Sequence, residues 1–115
     1  MVLLFKESGR SARIESRFFD RIVRIELTTE KLSFSTTLLS IKCKELMAIP
    51  LEDIQSVTRV TERGVASFEV NTHERRKFCW FETVNPGPWE SAFATSGVMV
   101  EQAPDKEEER VATDA

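Results

Sequence analysis

The chain is poor in the residues on which most small-protein chemistry depends. It has two cysteines, Cys43 and Cys79, in 115 residues. A secreted domain of this size usually carries more, at framework spacing, so a reducing, cytoplasmic setting is expected. Both cysteines sit in strand-like runs and read as buried thiols. The one histidine, His73, lies in the polar stretch Asn71–Arg76. No zinc ligand set surrounds it, and a cysteine nucleophile has no base except this turn residue. The four glycines, Gly9, Gly64, Gly87 and Gly97, form neither a dinucleotide fingerprint nor a phosphate loop. Val2–Phe5 is apolar, but Lys6 and Glu7 end the run. That is too short for a signal-peptide core or a bilayer span. No catalytic set, metal site or cofactor is expected, and the chain reads as a non-enzyme.

What is present suits one globular domain. Hydrophobic residues make up 41% and charged residues 30%, with eight Phe and two Trp to anchor a core. The net charge of −3 hides an uneven distribution. Residues 1–24 hold Lys6, Arg10, Arg13, Arg17, Arg21 and Arg24 against Glu7, Glu15 and Asp20. Residues 101–115 hold Glu101, Asp105, Glu107, Glu108, Glu109 and Asp114 against Lys106 and Arg110. One end is therefore basic and the other acidic. The body lacks the strong positive charge that nucleic-acid binding needs, and the acidic tail would repel phosphate.

Hydrophobic periodicity points to β structure. Val23, Ile25 and Leu27 alternate with Arg24 and Glu26. Thr28–Lys31 is a polar break, and Leu32–Ser35 resumes the alternation, so a hairpin is expected. Leu39–Lys44 alternates with Lys42 and Lys44 outward. Pro50 suits an edge or a strand end. Ile54–Thr61 is a further strand, Glu62-Arg63-Gly64 a turn, and Ser67–Asn71 a strand with Phe68 and Val70 inward. Lys77–Phe81 reads as a strand covered on both faces. The first strand is either Val2–Phe5 or Ala12–Glu15. Asn85-Pro86-Gly87-Pro88 is a breaker cluster, and with Pro88 in its first turn a helix follows that carries Trp89 and Phe93 on its apolar face, with Glu90 near its positive N-terminus. Either Gly97 ends that helix or Val98–Val100 continues it. The expected fold is mainly β: a bent antiparallel barrel or sandwich of six or seven strands capped by one C-terminal helix. Residues 1–100 form the domain, and 101–115 an acidic, disordered tail.

Three pieces of the chain carry a family resemblance. They are Arg21–Phe34, then Ile49–Ile54, then Ser67–Val70 with Phe78–Phe81 and Trp89. In this order, over roughly Phe18–Phe93, they resemble a pleckstrin-homology domain. The resemblance implies seven strands, a C-terminal helix with a structural Trp, and neither catalysis nor cofactor. It also implies a lipid site of basic residues in the first loop and the start of the second strand, here Lys6, Arg10, Arg13, Arg17 and Arg21. Lys and Arg neutralise inositol phosphates through charge-assisted hydrogen bonds. With Arg21 as the first member of the family's basic pair, Val23 takes the second place. That favours general attraction to anionic lipid over a stereospecific headgroup pocket.

The expected function is a binding or targeting module. It acts through a protein partner, with Phe18 and Trp80 as contact residues, and through weak anionic-lipid or phosphoinositide binding at the basic end. The alternative is a structural subunit of a larger, cytoskeletal or multiprotein assembly. The acidic tail folding back on the basic end would be autoinhibitory. Trp89 and Phe93 are expected in the core.

Overall fold

Val23, Ile25 and Leu27 are all buried, so their alternation puts one strand face against the core. The computed structural model describes residues 2–13, 16–38 and 41–103, and the side chains of residues 12–21 and 38–43 fall outside it. Eight strands and one helix follow in the order β1 (Leu3–Arg13), β2 (Ser16–Thr28), β3 (Lys31–Leu38), β4 (Ile41–Pro50), β5 (Ile54–Glu62), β6 (Val65–Thr72), β7 (Cys79–Thr83), α1 (Pro86–Ser96) and β8 (Met99–Gln102). A single 3-10 turn, Leu51–Asp53, links β4 to β5. Thr28 makes the β2–β3 turn: its hydroxyl oxygen accepts the backbone N–H groups of Glu30 and Lys31 at 3.2 and 3.1 Å.

The strands form one sheet in the order β4-β3-β2-β1-β7-β6-β5-β8. The pairs are antiparallel except β5 with β8, which is parallel. β1 joins the two halves. Its residues from Leu3 onward pair with β2, and Ser11–Arg13 pair with β7.

The sheet bends sharply. Phe34 on β3 and Phe81 on β7 are three strand steps apart, which is about 14 Å along a flat sheet. Their ring centroids lie 6.1 Å apart. The two halves therefore fold over one core of Ile25, Leu27, Phe34, Val57, Phe68 and Phe81. Gly9 permits the close approach of β1 to β7. A Cβ there would stand 2.7 Å from the carbonyl oxygen of Glu82.

The helix closes the core. Trp89 and Phe93 are fully buried, as their spacing predicts. Trp89 packs at 4.8 Å from Phe5, 5.0 Å from Phe81 and 5.7 Å from Phe93, centroid to centroid. Truncating a buried Trp of this kind typically costs about 3–5 kcal/mol. Gly97 ends the helix in the left-handed region at φ 84°. Its N–H donates to the Ala94 carbonyl, and that of Val98 to the Phe93 carbonyl.

Several sequence expectations need correction. The described residues form eight strands, not six or seven, because Met99–Gln102 leaves the helix and adds to the β5 edge. Val98–Val100 does not continue the helix, since Gly97 has already reversed the backbone. The domain boundary drawn at residue 100 falls inside β8. The two alternatives for the first strand merge into one long strand, β1. Lys77 is not part of β7: it has φ 52° and closes the preceding loop. Nor is β7 covered on both faces, because Trp80 is only half-buried while Cys79 and Phe81 are buried. Glu90 forms an ion pair with Arg59 at 2.7 Å rather than serving the helix N-terminus. Among the described residues the sheet has two edges, β4 and β8, and its ladder does not close into a barrel.

Candidate binding surfaces

The basic residues singled out in the sequence separate into two groups. Lys6 and Arg10 lie on β1 and are exposed. Lys6 stands opposite Glu26, and Arg10 opposite Ile22. Arg13, Arg17 and Arg21 belong to the distal part of the β1–β2 hairpin, with Arg13 opposite Ser16 and Arg21 opposite Ser11. Their side chains, like those of Phe18 and Cys43, lie outside the described residues, so the contact role of Phe18 does too.

The backbone brings a second basic segment to that hairpin. Arg13 pairs with Cys79, the first residue of β7. The β6–β7 loop runs directly into Cys79 and carries Arg75, Arg76 and Lys77, all exposed. The end of β1, the start of β2 and this loop therefore share one end of the sheet. The paired end of β3 and start of β4, Leu38 opposite Ile41, lies at the same end of its own half, with Lys44 exposed. Carboxylates are interspersed, with Glu74 in the loop and Glu45 on β4. Lys77 reaches Glu69 at 3.9 Å. The three consecutive cations at 75–77 were visible in the sequence as a run. Their nearness to Arg13 was not, since it depends on the β1–β7 pairing.

The loop has a defined shape. Asn71 is buried at its root, and its Nδ2 donates to Ser56 Oγ at 3.1 Å and Thr58 Oγ1 at 3.0 Å. Its Oδ1 accepts the Lys77 N–H at 3.0 Å. Thr72 and Arg75 exchange backbone hydrogen bonds across the first part of the loop. A buried, satisfied amide of this kind fixes the loop backbone.

The second surface is on the solvent-facing side of β7 and β1. The Arg10 guanidinium carbon lies 5.7 Å from the centre of the Trp80 ring, within cation–π range. Arg10 also stands 3.8 Å from Glu82. Trp80, Arg10, Val65 and Glu69 line a shallow concavity of ≈ 550 Å³. Val65 is exposed within it. The structure thus unites Trp80 with one of the sequence's basic residues, but on a face and not at the loop end.

His73 is exposed, and Cys79 is fully buried. Among the described residues no three His, Cys, Asp or Glu side chains are grouped to hold a metal ion. No helix among them is long and apolar enough to cross a membrane. β8 runs parallel to β5, so the chain leaves Gln102 toward the β5–β6 turn and away from the β6–β7 loop. Of the tail expected at 101–115, Glu101 and Gln102 belong instead to β8, and from residue 104 the tail, with its expected contact to the basic end, falls outside the described residues. No family model matches this chain, and no curated protein matches it as a relative.

Proposed function

We propose that the chain is a non-catalytic, pleckstrin-homology-like binding module that docks on an anionic membrane surface. The observation that carries this is the Arg13–Cys79 pairing, which sets the end of β1 beside the β6–β7 loop. The strand ends that carry Arg13 and Arg17 and the exposed loop residues Arg75, Arg76 and Lys77 then lie at one end of the sheet. Each Lys or Arg close to an anionic lipid surface contributes about 1 kcal/mol, so a few suffice for reversible docking. The architecture supports the family reading. A four-stranded meander and a three-stranded meander bend over one core, and a helix bearing a buried Trp follows. In this reading the bent sheet is a barrel-like form with β8 added at one edge. The test is sedimentation with vesicles of phosphatidylcholine alone and with added phosphatidylserine, at low and high salt. Binding that needs the anionic lipid and fades with salt supports the reading. Equal partition onto neutral vesicles opposes it.

A second reading, a protein partner held at Trp80, is favoured by the Arg10–Trp80 stack. Trp and Arg are among the side-chain types that dominate interface energetics. A Trp80→Ala variant that keeps vesicle binding but loses a partner separates the two roles.

A further inference from the structure

β4 is the last strand on its side of the sheet. It pairs with β3, and its other edge carries no strand among the described residues. Such an edge offers backbone N–H and C=O groups to another extended chain. Alongside it lies a cleft of ≈ 290 Å³, between the end of β4, the 3-10 turn and the β6–β7 loop. The cleft is lined by Met47, Ile49, Pro50 and Phe78, with Asp53 and Glu74 beside them. The His73 N–H donates to the Asp53 carbonyl at 3.2 Å, which holds the turn and the loop together.

The charge at this cleft has one sign. Asp53 and Glu74 are exposed, and neither is ion-paired among the described residues. The cations of the same loop are placed elsewhere. Lys77 is directed to Glu69, while Arg75 and Arg76 are exposed and do not line the cleft. An apolar floor, an open strand edge and two uncompensated carboxylates match one kind of ligand. We infer that the β4 edge takes a cationic peptide in extended conformation, by strand addition. An apolar side chain of the peptide sits over Ile49 and Phe78. A Lys or Arg at an alternate position faces Asp53 and Glu74. The cleft shares the β6–β7 loop with the proposed membrane-docking end, but Glu74 lines it while Arg75, Arg76 and Lys77 do not.

The test uses the full chain and a fluorescein-labelled peptide of alternating arginine and valine, read by fluorescence anisotropy. The peptide binds, and its glutamate–valine counterpart does not. N-methylation of alternate peptide amides abolishes binding, because strand addition needs those N–H groups. The double variant Asp53→Asn, Glu74→Gln weakens binding about three- to tenfold, as the loss of two exposed charge pairs requires. Arg75→Glu with Arg76→Glu, which disables membrane docking, leaves peptide affinity equal or higher. The inference is overturned by any of three results: no binding of the cationic peptide, full binding of the N-methylated peptide, or unchanged affinity in the Asp53, Glu74 variant.

Discussion

Glu7 on β1 accepts a hydrogen bond from the indole Nε1–H of the buried Trp89 at 3.3 Å. Its other carboxylate oxygen accepts the side-chain amide of Asn85, the residue that precedes the helix. One half-buried carboxylate thus satisfies the polar atom of the largest core side chain and fastens the start of α1 to β1.

Glu7→Ala removes both bonds and leaves the indole N–H without its partner. The expected loss is about 1–3 kcal/mol of stability, measured by urea unfolding. Combined with Trp89→Phe, the two changes should be clearly non-additive, since each disables the same bond. Strict additivity would mean that the Glu7–Trp89 bond contributes nothing.

The helix and its Trp were legible from the Pro86 and Pro88 breakers and the Trp89–Phe93 spacing. Glu7 was not, because nothing local distinguishes it from an ordinary surface acid. Its role depends on 82 residues of separation being closed by the fold. The same limit explains Glu90. Position in the sequence suggested the helix dipole, while tertiary packing put Arg59 within reach. β8 escaped notice because a four-residue strand has too few residues to establish a period. The sequence pointed to Arg13 and Arg17, whose side chains lie outside the described residues. The nearness of the Arg75–Lys77 loop to the end of β1 was hidden, because it depends on the register of β1 on β7.

Arg63 has φ 52° and Gly64 has φ 79°, in a two-residue turn between the paired Glu62 and Val65. Both positive values mark the mirror-image turn that suits the twist of a hairpin. An arginine is strained there, and asparagine tolerates the left-handed region better. Arg63→Asn should raise stability by about 0.5–1 kcal/mol. A thermal melt showing no gain or a loss would contradict this turn geometry.

Asn71 on β6 ties two β5 hydroxyls and the Lys77 backbone N–H together at the root of the β6–β7 loop. Asn71→Ala removes two donated bonds and one accepted bond in a buried place. It should cost about 1–3 kcal/mol and leave the Ser56 hydroxyl with one bond fewer. Amide hydrogen exchange at Lys77 should accelerate beyond the global change, since its N–H loses its acceptor. Exchange that tracks global stability alone would mean that the loop is held by other contacts.

The central claim is that anionic membrane docking belongs to the loop end, and a paired charge-reversal titration on phosphatidylserine vesicles tests it most directly. Wild type, Arg75→Glu with Arg76→Glu, and Arg10→Glu would be compared at one low salt concentration. The account predicts at least a tenfold loss for the loop variant, from about 1 kcal/mol or more per reversed charge, and near wild-type binding for Arg10→Glu. Unchanged binding in the loop variant, or a greater loss in Arg10→Glu, would contradict it.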